Sequence, residues 1–170
     1  MVEWIARIAG GGPANLRALD VAMGRGRHAL PLARAGFRTF GVDIAFEPLR
    51  DAIAAAAAEH LALHGWCADL TQHPLPDRRF DLVLVDRYLQ RNLFDALRAA
   101  CVPGGVVLYE TFTTAQRAHG TGPKSPDHLL EPGELRERFA GFEELFYEET
   151  TAPEAVARIA ARRPPLAAPV

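Results

Sequence analysis

Three aspartates each close a short apolar run, and the residues after each suggest a different hydrogen-bonding task. Asp20 precedes Val21-Ala22-Met23-Gly24-Arg25-Gly26-Arg27-His28, where two glycines stand one residue apart. Glycine turns a chain tightly and leaves bare backbone, so a ligand can rest on N–H groups where a helix begins. The same turn also serves close packing of strand and helix, so alone it leaves both readings open. Asp43, in Gly41-Val42-Asp43-Ile44, can accept two hydrogen bonds from a ribose diol, or simply complement the N-terminus of the next helix. Asp69, in Cys67-Ala68-Asp69-Leu70, can accept from an adenine amine while a neighbouring N–H donates to the ring; an ordinary turn aspartate is its alternative. Together with the Pro103-Gly104-Gly105 turn, the three acids point to a nucleoside cofactor shared along one edge of a sheet.

A second set of polar groups suits a reacting partner. Arg87, Tyr88 and Arg91 follow the fourth apolar run, while Tyr109, Glu110 and Thr111 end the fifth. If residues 87–91 are helical, Arg87 and Arg91 share a face and can hold an anion; solvated arginines are the plain alternative. His119 and His128 lie among glycines and prolines, where a neutral imidazole could take a proton or merely face water.

The elements that must position these groups follow from apolar spacing and breakers. Strands are expected over Leu16–Ala22, Arg38–Val42, Leu61–Cys67, Phe80–Val85, Val106–Thr111, Phe142–Glu148 and Ala155–Ala161. Helices are expected over His28–Ala35, Glu47–Glu59, Leu89–Cys101 and Pro132–Phe139. Strand–helix alternation of this kind predicts a doubly wound, Rossmann-like α/β fold with a mostly parallel sheet, helices on both faces and ligands at the carboxyl ends of the strands. Residues 113–131 hold too many breakers for a regular element and read as a loop over the acceptor site. Residues 1–15 read as an N-terminal lid segment and 164–170 as a frayed tail of a single domain spanning 1–170.

Composition narrows the partners. The chain has 170 residues, 49% hydrophobic and 24% charged, so one packed core is expected. A formal net charge of -2 without a block of basic residues supplies no field for a polyphosphate, so nucleic acid is not expected as a partner. Cys67 and Cys101 stand in no metal-ligand spacing, so no metal site is expected. No signal-like segment is present and the longest apolar stretch, Ala52–Ala58, is too short for a bilayer, which predicts a cytoplasmic protein that does not enter a membrane.

In order along the chain, LDVAMGRG, GVDI, CADL, FDLVLVDRYL and VPGGVVLYE resemble the motifs of the class I S-adenosylmethionine-dependent methyltransferases. More narrowly, GRGRHALPLARAGF, DRYLQRNLF and YETFTTAQRAHGTGPKSPDHLLEPGEL are similar to the tellurite-resistance (TehB-type) methyltransferases. The resemblance implies a seven-stranded sheet whose last strand is antiparallel, and S-adenosylmethionine as cofactor. Gly24 and Gly26 would then line its methionine end, Arg27 or His28 would approach its carboxylate, Asp43 would hold ribose, Asp69 and Leu70 adenine, and Asp20, Ala22, Arg25 and Ile44 would complete the cofactor site. Asp86 and Arg87 would close the pocket. A small-molecule acceptor, such as a thiol or a selenium or tellurium species, would be bordered by Arg87, Tyr88, Arg91, Tyr109 and Glu110. A homodimer is the expected assembly if a neighbouring subunit completes the pocket.

Ala22 and Met23 depart from the family, which usually has a small residue, often glycine, followed by cysteine; Met23 either narrows the methionine pocket or packs within it. Two alternatives accompany this reading. A module that binds the cofactor without turnover would be favoured by loss of the polar groups after the fourth and fifth strands. A nicotinamide-dependent oxidoreductase fits Gly24-x-Gly26-x-x-Ala29 and Asp43, but leaves Asp69 unexplained.

Overall fold

Leu82, Val83, Leu84 and Val85 are fully buried, so the fourth strand has protein on both faces, as the centre of a parallel sheet requires. The computed structural model describes residues 15–73 and 75–166. Its strands are β1 (Arg17–Val21), β2 (Arg38–Asp43), β3 (Leu63–Cys67), β4 (Phe80–Asp86), β5 (Cys101–Phe112), β6 (Glu143–Thr150) and β7 (Val156–Arg162). They form one seven-stranded sheet in the order β3-β2-β1-β4-β5-β7-β6. β1 to β5 pair in parallel, and β7 runs antiparallel to both β5 and β6. Strand order reverses between β1 and β4, which opens a crevice beyond their carboxyl ends.

Helices α1 (Ala29–Arg34), α2 (Phe46–Ala58), α3 (Phe94–Ala100) and α4 (Glu134–Arg138) cover the faces. Gly36, at φ 95°, ends α1, and Phe37 N–H bonds back to the Leu32 carbonyl, the left-handed stop that glycine permits. α2 buries Leu49, Ala52 and Ala56, positions spaced three and four apart on one stripe. One face of the sheet packs Leu19, Val21, Val83 and Val107 with Leu97 of α3 and Leu135 of α4. The opposite face packs Leu82, Leu84 and Leu108 with Leu32 and Phe37.

Most elements differ from their expected bounds by a residue or two, and three of the differences have clear local causes. The helix expected from Leu89 begins only at Phe94, after a 3-10 turn at Arg91–Leu93, because Gln90 is extended at φ -143°, ψ 105°. α4 starts after Gly133, whose φ of 78° no helix interior accepts, rather than at Pro132. β5 begins at Cys101, five residues early, because Cys101 pairs with Phe80 and the Gly104–Gly105 turn exchanges backbone hydrogen bonds with Arg163. The expected lid, residues 1–15, lies outside the described residues except for Asn15, as do the last four residues of the tail. Among the described residues between 68 and 79, no helix joins β3 to β4.

Candidate active site

At the carboxyl end of β1 the chain reverses through three left-handed residues, Ala22 at φ 56°, Gly24 at φ 51° and Gly26 at φ 79°. Alanine there costs about 1 kcal/mol relative to an unstrained residue. The space above Gly24 is open: a Cβ built there meets nothing within 4 Å. Gly26 instead lies against α2, where a Cβ would approach Ala52 Cβ to 3.0 Å. The two glycines therefore do different work, one baring backbone to the crevice and one admitting a helix.

Asp43 fastens this turn from β2. Its Oδ2 accepts from Gly24 N–H at 2.7 Å, and its Oδ1 from Ala45 N–H at 2.8 Å. A carboxylate has about four lone-pair sites, so these two bonds leave acceptor capacity for a further partner. Asp69 shapes the turn after β3: Oδ1 accepts from the Thr71 N–H and hydroxyl, and Oδ2 from Gln72 Nε2. These bonds, the Thr71 hydroxyl first, hold its carboxyl below the ordinary range. Between Asp43 and Asp69 lies a cavity of 290 Å³, walled by Ala22 and Ile44 on one side, Leu70 on another, and Tyr88 and Gln90 from beyond β4. Ile44, 69% exposed, holds an apolar side chain out at this cleft.

The other half of the crevice is ionic. Register places Asp86 beside Glu110 on adjacent parallel strands, and Glu110 beside Arg158 on β7. Asp86 pairs with Arg27 and accepts from His28 Nε2 at 2.8 Å, while Arg158 Nε donates to Glu110 at 2.6 Å. Burial, and then the charge of Arg27, push His28 down to about 4, so the ring is neutral at pH 7. A carboxylate only accepts, so the ring proton sits on Nε2 and leaves Nδ1, buried and without a partner among the described residues, as a lone pair. Asp20 is 2% exposed, and its Oδ2 likewise has no partner among the described residues. Burial pushes its carboxyl up to about 7.

Residues 18–105, from β1 into β5, match a family described as a methyltransferase domain. The chain belongs to that family. An uncharacterised protein of Mycobacterium tuberculosis is 34% identical to the methyltransferase domain over 104 residues, 58% of this chain and 38% of that one, so the chain spans little more than a third of this relative. Among solved structures, TehB of Haemophilus influenzae has a TM-score of 0.78 at 18% identity, over 95% of this chain and 61% of that one. An S-adenosylmethionine-dependent methyltransferase of Mesorhizobium loti has a TM-score of 0.75 at 21% identity, over 96% and 98%. The nicotinamide reading of the glycine turn has no counterpart in the family match.

Met23 is 5% exposed and packs with Ala29, Leu49 and Ala52. A Cβ on Gly41 would lie 1.8 Å from its sulfur, so Met23 takes the volume that glycine leaves and points away from the cleft. Gly41→Ala in the methyltransferase domain is therefore expected to cost roughly 1–3 kcal/mol through overpacking. Met23→Cys should recover most of that loss. Thermal denaturation of the four proteins of this cycle checks the coupling, and strictly additive changes would refute it.

Other candidate residues of the methyltransferase domain are turned to internal work. Arg25 pairs with Asp51 of α2 and lies 73% exposed. Arg87, at φ 53°, forks onto Glu154 and stacks over Phe112 at 4.9 Å. Arg91 forks onto Glu134 at 2.8 Å and donates to the Leu129 carbonyl. The two arginines do not share a helical face, since residues 87–90 form no helix. Tyr109 is 1% exposed, stacks on Phe94 at 5.3 Å and donates to the Tyr88 carbonyl at 2.7 Å, so it fixes the turn after β4 from within the core. His119 bonds the Thr151 carbonyl, and His128 is exposed.

Sequence reasoning missed Gln90 and Thr71 as cleft residues, and Glu134 and Glu154 as anchors. None carries a motif signal; each is selected by the turn geometry around it. Residues 113–131 are also tied down more firmly than a loose loop. Gln116, fully buried, accepts from Ala155 N–H and donates to the Thr121 carbonyl, and Thr113 bridges Leu130.

Proposed function

We propose that this methyltransferase domain binds S-adenosylmethionine across the ends of β1 to β4 and methylates a small, soft nucleophile, a thiolate or a selenium or tellurium anion. The observation that carries the reading is the cavity between Asp43 and Asp69, beside the glycine turn that Asp43 holds at Gly24, with an Asp20 oxygen buried and unpartnered among the described residues. When bound, the cofactor supplies a sulfonium methyl group that a nucleophile displaces in line.

The chain's own residues orient and shield. Asp43 accepts from a ribose diol, Asp69 and the Leu70 backbone meet the adenine edge, and Ile44 covers the ring. Gly24 bares its backbone to the methionine end, and Arg27, 62% exposed on its side chain, reaches a carboxylate. Asp20 favours a cation beside it, because an ammonium partner offsets the cost of ionising a buried carboxyl. Arg27, Arg87 and Arg158 border the ionic half, each held by a carboxylate, and offer N–H donors to an acceptor without a net positive field. A soft anion needs no strong base, which accords with a His28 that stays neutral; orientation is the main catalytic resource.

The reading places the enzyme in the cytoplasm, supported by two free cysteines, with a neighbouring copy as a partner able to complete the cover of the cleft. Among the described residues no helix is long and apolar enough to cross a membrane. Incubation with S-adenosylmethionine labelled in its methyl group, and with thiols, selenite reduced to selenide, and tellurite in turn, tests the acceptor class. Label in a methylated chalcogen product, absent with Asp43→Ala, is the expected result. Transfer only to oxygen or nitrogen acceptors would overturn it.

A further inference from the structure

A second cavity, of 410 Å³, opens at the amino end of the sheet, lined by Arg17, Phe40, Trp66, Pro76, Arg79 and Phe80. Register explains its composition. Arg17 pairs with Arg38, Leu19 with Phe40, and Val42 with Trp66, so Arg17, Phe40 and Trp66 share one face of β1, β2 and β3. Over β2 and β3 this face carries no helix, because the described residues between 68 and 79 form none between β3 and β4. The floor is aromatic: Phe40 meets Phe80 edge-on at 5.7 Å and stacks on His64 at 5.1 Å, and both Phe40 and Trp66 remain half-exposed.

The rim is cationic and, among the described residues, uncompensated. Many arginines pair with carboxylates, as Arg34 does with Glu59 and Arg136 with Glu144, and others, such as Arg98 and Arg163, donate to backbone carbonyls. The guanidinium groups of Arg17 and Arg79 have no such partner among the described residues, and no carboxylate lines the cavity. The nearby Asp81 carboxylate accepts from the Arg17 backbone N–H at 2.8 Å, not from its side chain. Arg38 lies over the Phe40 ring at 5.5 Å and adds a third positive charge.

An apolar floor rewards burial of a flat ring, and a planar fork matches a carboxylate bidentately. We propose that this cavity binds an aromatic carboxylate of small-molecule size. It is separate from the methyl-transfer cleft: Arg17 opens β1 and the glycine turn follows its other end, about 13 Å away at 3.3 Å per residue.

The test is calorimetric titration of the whole chain with naphthalene-2-carboxylate and its neutral counterpart naphthalene-2-methanol. The same titrations are run on Arg17→Gln/Arg79→Gln, checked for an unchanged melting temperature. The carboxylate should bind about tenfold tighter than the alcohol, as one charge-assisted contact provides. The double variant should erase that preference, Trp66→Leu should weaken both compounds, and S-adenosylhomocysteine should bind equally well with the carboxylate present. No binding at millimolar carboxylate, equal affinity for acid and alcohol, a preference that survives in the double variant, or displacement by S-adenosylhomocysteine would each overturn the proposal.

Discussion

Asp43→Ala is expected to weaken S-adenosylhomocysteine binding at least a hundredfold while the protein stays folded. Two hydrogen bonds from a ribose diol to a carboxylate contribute roughly 1.5–3 kcal/mol each, and about 1.4 kcal/mol is a tenfold change. The substitution also removes the acceptor of Gly24 N–H, so the turn that carries the methionine end loses its tie to β2. The fold loses less. Its cost resembles that of deleting a helix cap, about 1 kcal/mol, because the strand register of β2 with β1 and β3 is untouched. Calorimetry beside a thermal melt separates the two effects. A variant that melts slightly lower yet binds normally would show that Asp43 serves only the turn into α2.

The second large effect lies outside the cleft. Glu134 accepts from Arg91, from Arg138 and from Glu131 N–H, with its side chain 11% exposed. Burial alone would raise its carboxyl; the hydrogen bonds from Arg91, Glu131 N–H and Arg138 outweigh that and hold it at about 2. Because the folded value lies below the ordinary 4.5, the stability it contributes is complete above about pH 4.5 and is lost as pH falls towards 2. The gap corresponds to about 3 kcal/mol. Glu134→Ala should therefore lower the melting temperature at pH 7 by roughly 6–12 °C. It should also flatten the decline in stability between pH 4.5 and 2. Arg91, released, would no longer hold the Leu129 carbonyl, so limited proteolysis between residues 119 and 129 should accelerate. A melting temperature within a degree of the parent would refute the anchor.

The parts of this molecule that were legible in the sequence are those governed by periodicity and by breakers. FDLVLV could only be a strand buried on both faces, and Gly36 could only end α1, so the sheet and its crevice followed. Asp43 and Asp69 were found because an acid at a strand end is conspicuous. Their simpler readings are close to what is seen, since Asp43 accepts from the Ala45 N–H in the turn leading into α2 and Asp69 braces its own turn. What periodicity cannot carry is pairing between distant side chains. Arg87 and Arg91 look like helix neighbours four apart, yet the left-handed backbone at Arg87 and the extended Gln90 send them to Glu154 and Glu134. Tyr109 sits at the end of β5 beside Glu110, but strand alternation turns one ring into the core and the other side chain to Arg158. Met23 looked like an obstruction because Gly41, which makes room for it, lies on another strand.

The most direct test of the account is calorimetric titration of the intact, folded chain with S-adenosylhomocysteine and, in parallel, NADH. The cleft between Asp43 and Asp69 predicts one S-adenosylhomocysteine bound per chain and no heat from NADH. A folded protein that takes up NADH, or that leaves S-adenosylhomocysteine unbound, would contradict it.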